Sequence, residues 1–269
     1  MRFVMNICKK LINRFFKTME LPAAARRAGY VSDQFGIRNR YLRESDNWKS
    51  HIDNTRRFIL DAAQKTEKRG TVAVLGSGWL YDVPLDELSQ MFESVTLVDI
   101  VHPEPVKARA ARMPNVRLVT ADLTGGAVQQ AMNAPSFQSF VDWLPSAAPD
   151  INLSEFDLVV SVNLLNQLDI ILCDYLKKRF RVGEEQLQPV RKMVQQNHIS
   201  WLPAGCTCLI TDYCQVDIPL DGSQKNETQL VYADLPQTPS KAEWEWVFDT
   251  NQRYSEKNNT VFKVMAVCF

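Results

Sequence analysis

The chain has 269 residues, of which 45% are apolar and 23% charged, and its formal net charge is zero. This composition suits one large folded domain, or a domain with an appended segment, and it argues against global disorder. No apolar run approaches the roughly 18 residues of a membrane span, so no spanning helix is expected. The six cysteines are too sparse for a disulfide framework, and we therefore predict a cytoplasmic chain with reduced thiols.

Charge is unevenly distributed along the chain. Residues 1–70 carry 16 Lys and Arg against 7 Asp and Glu, whereas residues 71–269 carry 15 against 24. We therefore predict a basic helical N-terminal segment, 1–69, that caps an acidic body, 70–269. The arginines at 38, 40, 43, 56 and 57 could instead bind the phosphate of an anionic partner. No basic strand interleaved with aromatic residues is present, so we expect no nucleic-acid partner.

Residues 2–19 read as a basic amphipathic helix. Val4, Ile7, Leu11 and Phe15 recur at helical spacing, and basic residues occupy the other face. Such a helix either packs on the body or makes a peripheral contact with an anionic membrane. A third interpretation is that translation begins at Met19.

From residue 71 the pattern alternates between apolar strands and amphipathic helices. Strands are predicted at 71–78, 94–100, 115–123, 156–165 and 207–213, helices at 33–68, 84–92, 103–112 and about 168–200, and a terminal hairpin at 243–249 and 260–269. This alternation predicts a Rossmann-like three-layer α/β sandwich with a seven-stranded, mostly parallel sheet and a C-terminal antiparallel hairpin. The Pro- and aromatic-rich stretch 128–154 is predicted to be an insertion over the cleft, acting as a lid.

Three motifs lie at predicted strand ends. Gly76-Ser77-Gly78 follows the first strand, Asp99 ends the second, 23 residues after Gly76, and Asp122 ends the third. Open α/β sheets bind ligands at the carboxyl ends of their strands. A glycine turn lets the backbone approach a ligand closely, and a strand-end carboxylate can accept both hydroxyls of a ribose. The alternatives are a structural turn for the glycines, a helix cap or a surface acid for Asp99, and a helix cap or a turn for Asp122.

With these motifs in place, residues 70–269 resemble the class I S-adenosylmethionine-dependent methyltransferases. The resemblance rests on VLGSG, LVDI, TADL, FDLVVSVNLLNQL and the closing hairpin. It implies S-adenosylmethionine as cofactor and a small-molecule acceptor. It also implies these site residues: Gly76, Ser77 and Gly78 at the amino-acid end of the cofactor, Asp99 and Ile100 at the ribose, Asp122 and Leu123 at the adenine, and Asn163, Asn166 and Gln167 beside the methyl group as candidate catalytic residues.

The chain departs from that family in two places. Val74 stands where the family usually has an acid, and Tyr81 stands where a third glycine would continue the loop. Asp82 is a candidate replacement for the missing acid. A non-catalytic binding protein on the same fold is therefore the alternative prediction. A nicotinamide-dependent oxidoreductase is disfavoured, because Tyr81 obstructs the helix approach to a pyrophosphate. The segment GSGWLYDVPLDEL also resembles a group of bacterial methyltransferase-like proteins, but this resemblance does not indicate a substrate.

The remaining chemistry-bearing residues receive structural interpretations. His198 is expected to cap the end of a long helix, and His102 to lie in a solvated loop. Cys206, Cys208 and Cys214 are expected to pack in the core, and no metal site is predicted. Trp244 and Trp246 should face one side of their strand. From the N-terminal cap, Tyr41, Trp48 and His51 are candidate contacts for the acceptor.

Overall fold

The computed structural model describes residues 29–269. The predicted helix 2–19, its membrane contact and the alternative start at Met19 lie outside the described residues. Within that described range, no helix is both long enough and apolar enough to cross a membrane.

Seven α-helices and eight strands alternate along the described part of the chain. The helices are α1 Tyr30–Lys65, α2 Leu85–Met91, α3 Glu104–Ala110, α4 Ala127–Asn133, α5 Phe137–Trp143, α6 Ile170–Phe180 and α7 Glu184–Trp201. The strands are β1 Thr71–Leu75, β2 Ser94–Asp99, β3 Val116–Thr120, β4 Leu158–Val162, β5 Thr207–Pro219, β6 Asn226–Gln229, β7 Lys241–Asp249 and β8 Asn258–Cys268.

The strands form one sheet in the order β3-β2-β1-β4-β5-β8-β7, with β6 paired to β5. Strands β1 to β5 are parallel, and β8 runs antiparallel to both β5 and β7. The direction of strand succession reverses between β1 and β4, where Val74 pairs with Val160. The Rossmann-like sheet with its antiparallel C-terminal hairpin is therefore confirmed. A reversal of this kind opens a crevice at the carboxyl ends of the strands.

The two faces of the sheet bury separate cores. Val72 and Val74 of β1 belong to the core beneath α1 and α2, whereas Ala73 and Leu75 belong to the core beneath α6 and α7. All four side chains are fully buried. Because a strand presents alternate residues to opposite faces, a continuous apolar run can serve both cores. That is why these strands read as unbroken Val, Leu and Ala.

The structure differs from the sequence prediction in several element assignments. Two helices, α4 and α5, lie in or at the start of the stretch 128–154, for which only an insertion was predicted. The helix expected at about 168–200 is two helices, α6 and α7, because Arg181 adopts a left-handed conformation (φ 56°) and ends the first. The sheet contains an eighth strand, β6, that the pattern missed. Its sequence, NETQ, is exposed and polar, so it carries no hydrophobic periodicity to detect.

Helix α1 is attached to the antiparallel edge of the sheet. The indole N–H of Trp48 donates to the carbonyl of Phe248 on β7 at 2.9 Å. Glu44 lies at a kink in α1, and its carboxylate accepts hydrogen bonds from the backbone N–H groups of Thr250 and Asn251. These contacts bring one face of α1 over the crevice at the strand ends.

Candidate active site

A cavity of about 410 Å³ lies at the carboxyl ends of β1, β2, β4 and β5. Its volume falls within the range of about 300–1,000 Å³ that is usual for small-molecule sites. Helix α1 and strands β7 and β8 supply the opposite walls. Every site residue predicted from the sequence lines it, namely Gly76, Ser77, Gly78, Asp99, Ile100, Asp122, Leu123, Asn163, Asn166 and Gln167.

The glycine loop needs glycine at Gly76 for two reasons. Its φ of +76° lies in the left-handed region that favours glycine. A Cβ there would lie 3.0 Å from the Cβ of Leu164 and 3.1 Å from the carbonyl oxygen of Val162. The glycine loop after β1 therefore packs closely against the end of β4, and a side chain at position 76 would not fit between them.

Asp99 orders the loop from the neighbouring strand. Its carboxylate accepts hydrogen bonds from the backbone N–H of Gly78 at 2.8 Å and of Val101 at 3.2 Å. Burial raises the pKa of Asp99, whereas the hydrogen bonds from the backbone N–H groups of Gly78 and Val101 oppose that rise. Each carboxylate oxygen has a second lone pair, so Asp99 can still accept the hydroxyl groups of a ligand.

Asp122 has a structural role alongside its place in the cavity wall. Its Oδ1 accepts hydrogen bonds from the backbone N–H of Thr124 at 2.9 Å and from the Thr124 hydroxyl at 2.6 Å. This turn precedes α4, whose N-cap is Gly126, so Asp122 takes the turn alternative rather than that of a helix cap. Both contacts use Oδ1, and Leu123 beside it is buried. The carboxylate can thus order the turn and still present Oδ2 to a ligand.

The segment after β4 places Asn163 in a left-handed conformation (φ 46°), which Asn tolerates better than most residues. Its amide nitrogen donates to Oδ2 of Asp82 at 2.6 Å and lies 3.1 Å from Nε2 of His51. The amide of Gln167 donates to the carbonyl of Asn163 at 2.7 Å and braces the turn. Burial raises the pKa of Asp82, against the hydrogen bond from Asn163.

Asn166 and Asp212 form a buried polar pair in the wall of the cavity. The amide of Asn166 donates to Oδ2 of Asp212 at 2.8 Å. Within the described residues, Oδ1 of Asp212 and Oδ1 of Asn166 are buried without a hydrogen-bond partner. Burial raises the pKa of Asp212 to about 6, against its own backbone N–H and the Asn166 amide. The pair therefore leaves two unused acceptor oxygens at the cavity wall.

Two of the three candidate contact residues of the N-terminal segment line the same cavity. Trp48 and His51 line the cavity, whereas Tyr41 does not line it but stacks on Tyr81, with ring centroids 3.8 Å apart. Trp244 donates to Nδ1 of His51 at 3.1 Å, and Trp246 stacks on the imidazole at 4.0 Å. The two tryptophans thus face one side, as predicted. Burial lowers the pKa of His51 to about 3, so the ring is neutral.

Sequence reasoning missed several lining residues. Helix α1 contributes Tyr30, Asp33 and Gln34, and the C-terminal hairpin contributes Phe248, Tyr254 and Phe262. The sequence does contain a signal for the aromatic lining that the hairpin contributes, because Trp244, Trp246 and Phe248 alternate along β7. No local signal places an α1 side chain at strand ends, because that contact depends on the packing of the helix.

The charged groups of the cavity wall are unbalanced. Among the described residues that line it, five are aspartates and one is an arginine, as follows: Asp33, Asp82, Asp99, Asp122, Asp212 and Arg40. Low-dielectric walls lined by one sign of charge attract the opposite charge. Four of the five aspartates come from β2, β5 and the loops after β1 and β3, so this part of the cavity is suited to a positively charged group, whereas α1 contributes the arginine.

Other expectations need correction. His198 lies in the last turn of its helix, but it is buried, and its Nε2 lies 2.9 Å from the Ser161 hydroxyl instead of interacting with the helix end. His102 is buried rather than solvated, and its Nε2 lies 3.0 Å from the carbonyl of Val119. Cys208 and Cys214 are buried in apolar clusters, as expected, whereas Cys206 is only partly buried. Cys208 pairs in register with Cys268.

The stretch 128–154 also differs from its expected position over the cleft. Phe140 and Leu144 are buried in the core beside α6 and α7. None of the described residues that line the cavity comes from this stretch. The aromatic and proline content of 128–154 thus serves packing on one face of the sheet.

No protein-family model and no curated protein matches this chain. Solved structures are similar to it at low identity. DhpI in complex with SAH is 15% identical, over 87% of this chain and 95% of that chain, with a TM-score of 0.37. The Burkholderia thailandensis 1,6-didemethyltoxoflavin-N1-methyltransferase, with bound 1,6-didemethyltoxoflavin and S-adenosylhomocysteine, is 10% identical over 93% of each chain, with a TM-score of 0.39. The glycopeptide N-methyltransferase MtfA, complexed with S-adenosyl-L-methionine, is 14% identical over 80% of this chain and 94% of that chain, with a TM-score of 0.32.

The strand order and the antiparallel end of the sheet give this chain a Rossmann-like α/β fold with an antiparallel C-terminal end.

Proposed function

We propose that the protein is an S-adenosylmethionine-dependent methyltransferase that acts on a small-molecule acceptor. The observation that carries the proposal is the combination, in one cavity, of a glycine turn at positive φ, a strand-end carboxylate and an excess of negative charge. The cofactor combines a positive sulfonium, an ammonium and a carboxylate, so its net charge is complementary to this wall.

The unpartnered polar atoms of the cavity support the same cofactor. In the described part of the chain, Oε1 of Gln34, Oγ of Ser77 and Oδ1 of Asn163 are buried without a hydrogen-bond partner. Buried acceptors without partners cost free energy, so a ligand that supplies donors is favoured. S-adenosylmethionine carries donors on its ammonium, its ribose hydroxyls and its adenine amino group, which suits this set of oxygens.

We assign the residues to parts of the cofactor as follows. Asp99 would hold the ribose hydroxyls, with Ile100 beside them, and the turn from Gly76 to Gly78 would hold the amino-acid end. Asp122 and Leu123 would lie beside the adenine. Asn163, braced by Asp82 and Gln167, would border the methyl group.

Methyl transfer from a sulfonium requires little covalent catalysis by the protein. When bound, the cofactor supplies an activated methyl group on a positively charged sulfur. The protein must align the acceptor and exclude water. Asn163, Asn166 and Gln167 would serve as positioning residues, because each is already held by a hydrogen bond in the wall.

A nicotinamide dinucleotide is a poor fit. Its pyrophosphate would enter a cavity with five aspartates and one arginine. Tyr81 occupies the position of the third glycine and stacks between Tyr41 and Trp79. Both features oppose close approach of a phosphate to the loop.

The test is calorimetric titration of the purified protein with S-adenosylmethionine, S-adenosylhomocysteine and NAD. We expect micromolar binding of both adenosyl ligands and no binding of NAD. Binding of NAD, or of none of the three, would contradict the assignment of the cavity. Release of S-adenosylhomocysteine in the presence of an acceptor would then distinguish an enzyme from a non-catalytic binding protein.

A peripheral contact of residues 2–19 with an anionic membrane is a separate proposal that rests on the sequence alone. Liposome flotation of the full chain against a chain that starts at Met19 tests it. The full chain should float with vesicles that contain phosphatidylserine, and the shortened chain should not. Equal behaviour would remove the membrane contact.

A further inference from the structure

The cavity has a second end that the cofactor assignment does not use. It is built from α1 and the C-terminal hairpin, and its rings belong to Trp48, Trp246, Phe248, Tyr254 and Phe262. Phe248 is central to this aromatic wall. Its ring centroid lies 4.4 Å from that of Phe262, 4.9 Å from that of Trp246 and 5.1 Å from that of Tyr254. A wall of this kind favours a flat apolar body.

Arg40 places one positive charge against this wall. Its guanidinium carbon lies 4.5 Å from the ring centroid of Phe248 and 5.1 Å from that of Tyr254. Within the described residues, no carboxylate forms an ion pair with it, and its Nε is buried without a partner. Stacked guanidinium groups keep their N–H edges free to bind an anion in a two-pronged geometry.

Three carboxylates act electrostatically on Arg40, namely Glu44, Asp249 and Asp33, but within the described residues none of them forms an ion pair with it. Glu44 accepts its hydrogen bonds from Asn47, Thr250 and Asn251. Asp249 accepts from the backbone N–H groups of Arg253 and Tyr254. Arg40 is thus the one cationic side chain among the described residues of the cavity wall, and it still has donors to offer.

Asp212 and Asn166 supply the opposite chemistry. Both side chains are more than nine-tenths buried, line the cavity and keep one oxygen each without a partner within the described chain. Such oxygens call for a ligand N–H or O–H. An atom that receives a methyl group commonly carries such a hydrogen, and a nearby carboxylate can accept it in a hydrogen bond.

We propose that the methyl acceptor is a small aromatic acid, whose anionic group binds Arg40 and whose amino or hydroxyl group faces Asp212 and Asn166. This inference rests on the proposed function for the identity of the reaction, and it names the class of acceptor. Arg40 acts as the specificity residue for the anion, the aromatic wall holds the ring, and Asp212 orients the group that is methylated.

The experiment measures binding of defined probes by calorimetry, with and without saturating S-adenosylhomocysteine. The acid probes are 4-aminobenzoate, 4-hydroxyphenylacetate, benzoate and phenyl phosphate. The matched neutral probes are 4-aminobenzamide, 4-hydroxyphenylacetamide and benzamide. We expect the acids to bind at least tenfold more tightly than their amides, and the phenyl phosphate arm shows whether the preferred anion is a carboxylate or a phosphate.

Two variants locate the anion. Arg40→Gln should abolish the preference for acids over amides. Arg43→Gln, an exposed arginine one turn further along α1, should keep it. If no acid binds, if amides bind as well as acids, or if the preference survives in Arg40→Gln, the proposal is wrong.

A third variant locates the donor group. Asp212→Asn should weaken 4-aminobenzoate by about tenfold while leaving benzoate, which has no such donor, no weaker. Equal effects on the two probes would overturn the placement of Asp212. The affinity for S-adenosylhomocysteine, measured in parallel on the wild type, reports on the cofactor separately. Failure of that binding together with an intact preference for acids would remove the proposed function and keep the anion site.

Discussion

At the scale of single residues, the buried carboxylates of the cavity differ in how well they are compensated. Asp99 accepts hydrogen bonds from two backbone N–H groups, whereas Asp212 accepts one from the Asn166 side chain and has one oxygen without a partner among residues 29–269. An ionised carboxylate without enough donors destabilises the folded state. Ligand binding therefore explains the presence of a carboxylate at Asp212 better than a contribution to folding stability does.

The first prediction concerns the stability of Asp212→Asn. Because its folded-state pKa of about 6 lies above the ordinary value of 3.8, the folded protein binds the Asp212 proton more tightly than the unfolded chain does. Ionisation therefore costs stability, with nothing lost below about pH 4 and the full cost present above about pH 6. Two pKa units correspond to about 3 kcal/mol. We expect Asp212→Asn to unfold at higher urea concentration at pH 7.5 and at the wild-type concentration at pH 4.

The matched control for that experiment is Asp217→Asn, on the same strand. Asp217 is partnered by the hydroxyl of Thr260 at 2.9 Å and the amide of Gln215 at 2.9 Å. Its replacement should bring no gain in stability at pH 7.5. A stability gain for Asp212→Asn that is the same at both pH values would contradict the role of its charge.

The second prediction concerns Asp99→Asn and cofactor affinity. An amide keeps the size of the side chain but loses the charge that strengthens hydrogen bonds to ribose hydroxyls and to the Gly78 N–H. Affinity for S-adenosylhomocysteine should fall by about 1–3 kcal/mol, measured by calorimetry. Asp53→Asn, on the exposed face of α1, is the control. Unchanged affinity in a folded Asp99→Asn protein would exclude Asp99 from the site.

At the scale of elements, the attachment of α1 to the C-terminal hairpin decides the shape of the cavity on the side of the hairpin. Glu44 marks this junction. Burial by itself would raise its pKa, but hydrogen bonds from Asn251, Asn47 and Thr250 outweigh burial and lower the pKa to about 2. The kink in α1 at Glu44 thus coincides with a strongly satisfied carboxylate. Trp48, one turn further on, adds the bond to Phe248.

The third prediction follows for Glu44→Gln. A depressed pKa means that the ionised carboxylate stabilises the folded state above the ordinary value of 4.5, and that this contribution is lost as the pH falls towards 2. We expect a loss of about 2–3 kcal/mol at pH 7 and a smaller loss at pH 4, in thermal or urea unfolding. Glu67→Gln, an exposed acid beyond α1, should change stability little at either pH. A loss that does not depend on pH would point to shape rather than charge.

At the scale of the whole molecule, the charge of the cavity opposes that of the N-terminal segment. Residues 1–70 are strongly basic, yet the described cavity wall that α1 helps to form contains one arginine among five aspartates. Helix α1 therefore places most of its described basic residues away from the cavity, and Arg56 donates to the carbonyl of Tyr81 from outside it. A site of this sign attracts cations and repels multiply charged anions.

The fourth prediction uses this charge to compare two ligands that differ in one methyl group. S-adenosylmethionine carries a positive sulfur that S-adenosylhomocysteine lacks, so only its affinity includes attraction by the net charge of the wall. Raising NaCl from 0.05 to 0.5 M should therefore weaken S-adenosylmethionine several-fold more than S-adenosylhomocysteine, in calorimetric titrations, because salt screens that attraction. Parallel salt dependence of the two ligands would mean that the aspartates do not contribute to cofactor recognition.

The sequence motifs predicted that the glycine turn and the strand-end acids lie together, and the structure places them in one cavity, because each motif is local. Gly76 and Gly78 must follow β1, and Asp99 must end β2, so the parallel register of β1 and β2 places them side by side. The break between α6 and α7 could not be read from the apolar pattern, because both helices continue the same periodicity across Arg181. The exposed strand β6 carries no periodicity at all.

The sequence by itself determined the Rossmann-like sheet, its antiparallel end and the strand-end position of the glycine turn and the acids. These features follow from hydrophobic period and chain order, which are local properties. The tertiary structure alone decided that Arg40, Asp212 and Phe248 share a cavity. Helix α1 and the hairpin are about 200 residues apart in sequence, with Trp48 and Phe248 separated by 200, and only their packing brings them together. A contact of that range depends on burial and hydrogen-bond geometry, for which a single sequence has no local pattern.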